Sequence, residues 1–349
     1  MRILPGRALA VASSLLCAAL AACGGGGGTS SVPSAPVGTV PTPRASATPL
    51  PTPTATATPG ASLLAVANLG FGGVGPSIET FAADADGNVA PRTLITGNNA
   101  HLEAQTPIAL DRTGRLVSVN FDGTVSTLSV FAPGAAGNTL PERTIIDPDS
   151  SHALFGPGID DQGDVYGFFI DAGGAGVEVY GPTANGFVAP IRVVHQASAD
   201  LMIGYVDSYV GPHGDMWIAG DDSQHNEVLF EFPPLANGPT APTLTMTLPL
   251  AAFAVANDGT LMVQEPGGIS VFPPGAVRPT GGTYALDCGA ACALIGASGP
   301  STAILIGRTN TGGELLTYQL NSTNTILRPL HIIGGPQTGL ANPQFGAVR

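Results

Sequence analysis

An all-β fold, a six-bladed β-propeller with four-stranded blades, is the fold class that this sequence predicts. The first observation is a repeat, in which an apolar run ending in Phe or Tyr returns six times. The spacings between these aromatic anchors, by subtraction, are 50, 49, 52, 40 and 46 residues. A strand-rich repeat of this length is typical of propeller blades. The anchors are Phe81, Phe131, Tyr180, Phe232, Phe272 and Tyr318.

The second observation is the order of short runs inside each repeat. The second full unit shows four of them, separated by Gly, Asn, Asp and Pro, and their apolar and β-branched residues favour strands. The same order returns in the other units, so each blade is expected to hold an innermost, a second, a third and an outer strand. In the second unit these runs are residues 107–111, 115–120, 128–134 and 142–146.

The third observation is that the two ends of the repeat region complement each other. The region starts on a second strand near Ser62 and stops on an innermost one, Gln344–Val348. We therefore expect Gln344–Val348 to join the blade of Ser62–Thr96 and to close the ring. Such a closure removes the free sheet edges that promote aggregation.

The run "PIALDRTGRLVSVN", followed by "LSVFAPG", resembles the NHL-type propeller repeat, as found in bacterial envelope proteins similar to streptogramin lyase. The similarity extends over about the whole of residues 61–349 and is clearest at 107–134 and 157–182. It implies the propeller fold. Enzymes related to streptogramin lyase use a His and acidic residues on one face of the propeller. No motif in this sequence matches theirs, so no catalytic residue can be assigned from the resemblance. The fold alone does not define the function.

The N-terminus predicts export and lipidation. Residues 1–22 combine Arg2 and Arg7 with an apolar stretch that is too short to span a bilayer, which is typical of a signal peptide. The ending Leu20-Ala21-Ala22-Cys23 resembles the bacterial lipobox, and this resemblance implies that Cys23 carries the acyl chains, palmitate among them. Cys17 follows Leu16, where a small residue is required. The alternative is an ordinary cleaved secretory signal.

Residues 23–60 are expected to form a disordered tether between Cys23 and the propeller domain, residues 61–349. The stretch consists mainly of Gly, Pro, Thr, Ser and Ala, which offer little for a core to bury. Gly24, in place of Asp after the lipidated Cys, favours the outer membrane by resemblance to Gram-negative lipoproteins. We therefore expect a lipid-anchored protein of the cell envelope, on the periplasmic or surface side.

The composition limits the possible partners. Without the signal, ten Arg oppose 25 acidic residues, a net charge of −15, and the chain has no Lys. Such a chain is not expected to bind nucleic acid. Cys288 and Cys292 are predicted to form a local disulfide, because disulfides persist outside the cytoplasm. A metal site or redox pair is the alternative, although the C-x₃-C spacing and the lack of a nearby His do not favour it.

Polar residues gather in the loops expected on one face of the ring, those between outer and innermost strands and those between second and third strands. The same face therefore gathers His and carboxylate groups, which could form a metal site or an acid–base site. Exposed polar loop residues are the default expectation, and each loop supplies a different residue. The catalytic candidates are His101, His152, His225, Asp122, Asp171 and Asp221; His195, Asp200, Asp222 and Glu227 lie in the same loops.

No metal-binding motif and no cofactor motif is present, so neither is expected. The turns that begin at Asp111 and Asp160, and the turn at Asn257, resemble calcium loops, but they are better explained as hairpin turns. His213 falls on the opposite face, and Trp217 is expected in the core.

The sequence predicts a monomeric binding or scaffold propeller. It would attach to the membrane through Cys23 and offer one face to a protein, a glycan or a small molecule. Two alternatives remain: an enzyme of the lyase or lactonase kind with a polar site at the channel mouth, and a purely structural envelope lipoprotein.

Overall fold

A computed structural model describes residues 62–69, 75–103, 107–121, 124–149, 151–197, 202–288, 292–309, 312–321 and 325–349. The predicted signal 1–22, the lipidation site Cys23 and the linker 23–60 lie outside the described residues. The described part is built of β-strands with one short 3₁₀ turn, Asn98–Ala100. Within it, we find no helix with the length and apolar character needed to cross a membrane.

The strands form six mainly antiparallel sheets that follow one another along the chain as blades 1 to 6. Gly186–Phe187 and Gly238–Thr240 add a short parallel fifth strand to the sheets of blades 2 and 3. Short β-branched and aromatic runs form the strands, and Gly, Asn and Asp form the turns between them. From the innermost strand outwards, blade 1 consists of Pro343–Val348, Leu63–Asn68, Ser77–Ala82 and Thr93–Thr96; blade 2 of Ile108–Leu110, Leu116–Phe121, Ser126–Phe131 and Arg143–Ile146; and blade 3 of Leu154–Ile159, Val165–Asp171, Gly174–Tyr180 and Arg192–Gln196.

Blades 4 to 6 repeat this order, except that blade 5 has three regular strands. Blade 4 consists of Met202–Val210, Met216–Asp222, Glu227–Phe232 and Leu244–Thr247; blade 5 of Ala252–Val255, Leu261–Glu265 and Gly268–Phe272; and blade 6 of Cys292–Gly299, Thr302–Thr309, Gly312–Gln319 and His331–Gly334.

The predicted ring closure is confirmed. Pro343–Val348 pairs antiparallel with Leu63–Asn68, and Leu64 lies opposite Val348. Arg349 extends the pairing, because its backbone exchanges hydrogen bonds of 2.7 and 3.0 Å with Leu63. Strands from distant parts of the chain therefore share blade 1.

The outer strand expected in blade 5 is reduced to a single bridge. Tyr284 exchanges backbone hydrogen bonds of 3.0 and 2.8 Å with Ile269 of the third strand. Two residues later, Leu286 pairs instead with Leu327 in a loop of blade 6. The segment is thus divided between two blades, so it cannot continue as a strand of blade 5.

The apolar cores lie between neighbouring blades, with one buried cluster at each of the six interfaces. All six aromatic anchors are fully buried in these clusters. Phe131 of blade 2, for example, packs with Ile78 of blade 1. Burying such a side chain stabilises the fold by about 1.5–3 kcal/mol, so the anchors hold the ring together blade by blade.

Turns between third and outer strands also tie consecutive blades. Gly137 of blade 2 donates its N–H to Leu94 of blade 1 at 2.6 Å, and Thr96 donates to the Gly137 carbonyl at 3.0 Å. Gly137 has a φ of +71°, a left-handed backbone conformation that glycine adopts readily. Equivalent parallel contacts join Gly87 to Ile333, Gly186 to Ile145 and Gly238 to Val194. The turns between third and outer strands therefore also act as links between blades.

Candidate functional site

A cavity of about 260 Å³ lies on the axis of the ring, surrounded by the innermost strands of all six blades. Its lining is mainly apolar, with residues such as Ile108, Phe253 and Phe345, and the polar exceptions include Asp207 and Tyr209. An enclosed apolar space with few polar groups is the usual character of a small-molecule site, although this volume is at the small end of the range.

Arg349 lies at one end of this axial cavity. Its Nε donates to the Leu110 carbonyl, Nη1 donates to the Tyr209 hydroxyl and to Asn257 Oδ1, and Nη2 donates to the carbonyls of Ile159 and Val210. The guanidinium also lies 5.1 Å from the centre of the Tyr209 ring. One side chain therefore joins blades 2, 3 and 4 and the first turn of blade 5.

Asp207 brings a carboxylate to the wall of the axial cavity. Arg349 contacts the carbonyl of Val210, and Asp207 precedes Val210 by three residues in the same strand. Asp207 therefore lies about 10 Å along the strand from the end of the cavity that Arg349 occupies. Its Oδ1 accepts the backbone N–H of Ser208 at 2.8 Å. Burial raises the pKa of Asp207 to about 7, and the Ser208 N–H opposes this change. A cationic group in the cavity would favour the ionised carboxylate.

A second polar group, which we call the Asp147 cluster, consists of Asp147, His152 and Glu178 at the interface of blades 2 and 3. Asp147 follows the outer strand of blade 2, His152 lies in the loop to blade 3, and Glu178 belongs to the third strand of blade 3. His152 Nε2 is 3.9 Å from Asp147 Oδ2 and 3.6 Å from Glu178 Oε1. All three side chains are at least 96% buried.

Surrounding groups fix the orientation of each side chain in the Asp147 cluster. Asp147 Oδ1 accepts the N–H of Asp149 at 2.9 Å, and the Tyr180 hydroxyl donates to Glu178 Oε2. The His152 ring stacks on Phe169, with 3.9 Å between the ring centroids. On the other edge of the imidazole, Nδ1 is 3.3 Å from the Ser151 hydroxyl.

The charges in the Asp147 cluster perturb one another. Burial raises the pKa of Asp147 to about 6, opposed by the Asp149 N–H and assisted by the charge of Glu178. Burial alone would lower the pKa of His152, but the neighbouring carboxylates of Glu178, Asp147 and Asp149 outweigh it and raise the pKa. The interface thus concentrates negative charge around one imidazole.

Blade 1 carries a glutamate at the position equivalent to Glu178. Glu79 also lies two residues before the aromatic anchor of its third strand, and it is buried. Asn68 Nδ2 donates to its Oε2, and the Ser77 hydroxyl donates to its Oε1 at 2.7 Å. Burial raises the pKa of Glu79 to about 7, although both hydrogen bonds oppose this change.

Of the six catalytic candidates, the structure places only His152 in a cluster of ionisable side chains. His101 and His225 are exposed and have φ values of +51° and +60°. Asp171 accepts the N–H of Gly173 at 2.7 Å, as a turn residue does, and Asp221, the next-to-last residue of the second strand of blade 4, pairs with Gly204 and Glu227. Asp122 lies outside the described residues.

The related loop residues make local structural contacts. His195 lies in the outer strand of blade 3, edge-on to Phe169, with 5.5 Å between the ring centroids. Asp222 accepts the N–H groups of Gln224 and Asn226, both at 2.8 Å, and so closes a turn. Asp200 lies outside the described residues.

The first turns of the blades have the structural role expected of them. Asp111 Oδ1 accepts the N–H groups of Thr113 and Arg115, both at 2.8 Å, and Gly114 has a φ of +86°. Asp160 makes the same contacts in blade 3. These oxygens are therefore already used in forming the turns.

Two smaller expectations also hold. Cys288 and Cys292 form a disulfide with an S–S distance of 2.03 Å. Trp217 is buried, and its indole N–H donates to Asp215 at 2.9 Å.

Large apolar side chains are exposed in the loops between third and outer strands, one or more in each of blades 2 to 6. These loops lie on the face opposite the predicted polar loops. We call the set the apolar rim; it comprises Leu140, Phe187, Leu235, Val277 and Ile326. Single exposed apolar residues are common, and the feature that sets these apart is their recurrence at the same loop of five blades.

Sequence reasoning missed Asp147, Glu178, Asp207 and Arg349. Glu178 had a detectable signal, because "VEVY" places a carboxylate inside an otherwise apolar strand. Asp147 and Asp207 resemble ordinary loop and strand-end residues in the sequence. Arg349 gives no local signal, since its partners come from four other places in the chain.

No family model and no curated protein matches the chain. Among solved structures, TolB from Acinetobacter baumannii is similar to this chain, with 11% sequence identity and a TM-score of 0.47. The alignment covers 82% of this chain and 66% of the TolB chain. The WD40 domain of coronin from Toxoplasma gondii is 12% identical, with a TM-score of 0.45. That alignment covers 66% of this chain and 59% of the coronin chain. A protein from Lactobacillus plantarum is 14% identical, with a TM-score of 0.40, and the alignment covers 83% of this chain and 99% of the Lactobacillus chain.

The chain spans less than two thirds of the length of the coronin domain and TolB structures. The propeller assignment therefore rests on the sheet topology and on the ring closure described above.

Proposed function

We propose that this protein is a lipid-anchored binding propeller of the bacterial cell envelope, which takes a small, mainly apolar ligand with one basic group into its axial cavity. The observation that carries the proposal is the cavity itself: one end holds Arg349, and the half-buried carboxylate of Asp207 lies in its mainly apolar wall.

The chemistry of the cavity selects the class of ligand. Aliphatic and aromatic side chains favour an apolar body, since its burial stabilises a complex by about 25 cal/mol per Å². The five donor positions of Arg349 already have protein acceptors, so this end does not require an anion. Asp207 is then the group that would pair with a ligand amine.

The alternative of a lyase or lactonase has less support. The residues that line the axial cavity include no histidine to serve as an acid–base group beside Asp207. A binding function needs only shape, apolar area and one charge partner, and the cavity supplies these.

Three probes of similar shape and different charge test the cavity: benzylamine, benzyl alcohol and benzoate. We expect benzylamine to raise the melting temperature in a concentration-dependent way and to do so more than the other two. Asp207→Asn should remove the preference for the amine while leaving the fold intact. Equal responses to all three probes, or an unchanged preference in the variant, would contradict the assignment.

The anchor has a separate test. Leu20-Ala21-Ala22-Cys23 and the Gly/Pro/Thr-rich segment after it support lipidation at Cys23 followed by a tether. Mass spectrometry of the mature N-terminus should find an acylated Cys23, and Cys23→Ser should release the protein from the membrane fraction. Cys17→Ser is the matched control and should leave the anchoring unchanged.

A scaffold role is the second candidate, favoured by the apolar rim. A protein partner that covered Phe187 and Leu235 would remove both exposed side chains from water. The double variant Phe187→Ser, Leu235→Ser should then lose adducts that the wild-type protein forms on cross-linking in cells. Unchanged adducts would count against this surface.

A further inference from the structure

We propose that Asp147, His152 and Glu178 form a binding site for one divalent transition-metal ion, with Zn²⁺ as the favoured ion, between blades 2 and 3. The site is distinct from the axial cavity and does not depend on its ligand. The ion would join the end of blade 2, the connecting loop and the third strand of blade 3.

The distances fit a shared ion. Zn²⁺ lies about 2.0–2.2 Å from His nitrogen and carboxylate oxygen, so tetrahedral ligand atoms are about 3.3–3.6 Å apart. His152 Nε2 is 3.6 Å from Glu178 Oε1 and 3.9 Å from Asp147 Oδ2. The three ligand atoms all lie within 4.8 Å of one another. The two distances from His152 Nε2 therefore lie within about 0.3 Å of the tetrahedral range.

Two of the three ligand atoms are buried without a hydrogen-bond partner. These are Asp147 Oδ2 and His152 Nε2, on side chains that are 0% and 4% exposed. They lie 3.9 Å apart, too far to bond each other, and Glu178 Oε1 lies 3.6 Å from His152 Nε2. A buried polar atom without a partner is unfavourable, and a cation between the two would satisfy both.

The opposite atom of each side chain is already held by the protein. Asp147 Oδ1 accepts the Asp149 N–H, Glu178 Oε2 accepts the Tyr180 hydroxyl proton, and His152 Nδ1 faces the Ser151 hydroxyl. The Phe169 ring stacked on His152 limits rotation of the imidazole. Metal ligands are commonly oriented by such outer contacts.

The donor set selects the ion. One imidazole and two carboxylates suit Zn²⁺ and neighbouring transition metals, whereas Ca²⁺ and Mg²⁺ prefer oxygen ligands alone. Two buried carboxylates beside one imidazole also leave negative charge that a divalent ion would balance.

Blade 1 provides the internal comparison. Both oxygens of the equivalent Glu79 accept protein donors, from Asn68 and Ser77, and no partnerless buried atom faces them among the described residues. The free ligand atoms are therefore a feature of the blade 2–3 interface and not of a buried glutamate in this fold.

The experiment uses the full chain without a purification tag, stripped with a chelator and titrated with Zn²⁺, Mn²⁺, Ca²⁺ or Mg²⁺ while melting and metal content are measured. We expect one tightly bound Zn²⁺ per chain and a rise in melting temperature, with little response to Ca²⁺ or Mg²⁺. Co²⁺ should give visible d–d bands without a thiolate charge-transfer band, which separates this site from one made by Cys17 or Cys23.

His152→Ala and Glu178→Gln should each weaken Zn²⁺ binding by about 100-fold or more. Glu79→Gln, at the equivalent position of blade 1, should bind like the wild type. If a variant does not fold, competition between the wild-type chain and a chromophoric chelator still measures the affinity. Lack of a protein-bound Zn²⁺ in the wild type, or binding unchanged in His152→Ala, would overturn the proposal.

Discussion

Blades 1 and 3 place a glutamate at the same point of the repeat and surround it differently. In blade 1, Glu79 is satisfied inside its own sheet by Asn68 and Ser77. In blade 3, the two corresponding strand positions hold Phe169 and Gly176, which lie opposite each other as Asn68 and Ser77 do.

The consequence is a change in where the carboxylate finds its partners. Phe169 and Gly176 cannot donate side-chain hydrogen bonds to Glu178, so the carboxylate meets Tyr180 and the loop that carries Asp147 and His152. The missing side chain of Gly176 also makes room for the Phe169 ring, which stacks on His152. The repeat thus fixes the position of a buried acid, and two neighbouring residues decide its chemistry.

Phe169→Ala should have the largest effect, because it removes a buried aromatic ring and the support of His152. We expect a loss of about 3–5 kcal/mol in the free energy of unfolding. Asn68→Ala, the corresponding change in blade 1, should lose about 1–3 kcal/mol by leaving one donor fewer for Glu79. Chemical denaturation measures both. A cost for Asn68→Ala equal to that for Phe169→Ala would break the comparison.

Glu79→Gln should change the pH dependence of stability. The pKa of Glu79 is 4.5 as a reference and about 7 in the fold, so the folded state holds a proton between these values. The stability that this proton provides is complete below pH 4.5 and is lost as the pH rises through 7, on the order of 3 kcal/mol at most.

Denaturation of wild type and Glu79→Gln at pH 5 and pH 8 isolates this contribution, because Asp147 and Asp207 remain in both proteins. The wild type should lose more stability than the variant on going to pH 8. Parallel losses in the two proteins would show that Glu79 does not take up the proton.

Gly176→Ser copies the residue of blade 1 into blade 3 and should destabilise the protein by about 1–3 kcal/mol. A Cβ at Gly176 would lie 2.1 Å from Phe169 Cζ, so the ring must leave its stacked position. Gly299→Ser is the control, because a Cβ there has no neighbour within 4 Å. Equal melting temperatures for the two variants would argue against the close contact.

Tyr180→Phe copies the anchor Phe81 of blade 1 and should have the smallest effect, about 1–2 kcal/mol. It keeps the buried ring but removes the hydroxyl that donates to Glu178. Tyr318→Phe is a comparable change in blade 6, where the hydroxyl donates instead to the carbonyl of Asp287 at 2.7 Å. Only Tyr180→Phe should weaken Zn²⁺ binding, and a similar loss in both variants would count against the link to Glu178.

The sequence was sufficient for the architecture because that information is local and repeated. The aromatic anchors, the positions of the strands and the ring closure by Gln344–Val348 follow from patterns that recur six times. Each anchor packs against the preceding blade in the same way, so one repeat predicts the others. The disulfide between Cys288 and Cys292 was also accessible, since only four positions separate them.

The sites depended on contacts that cross the repeats. His152 was a candidate from its loop, but its partners Asp147 and Glu178 belong to different blades and form no spaced motif. Arg349 reaches residues that are 92 to 239 positions away in the chain. Likewise, the sequence of the outer segment of blade 5 predicts a strand. In the structure, Leu286 pairs with Leu327 of blade 6 instead, so only a single bridge remains in blade 5. Periodic burial is encoded in each strand by itself, whereas the meeting of ionisable groups is decided by how the blades pack around the axis.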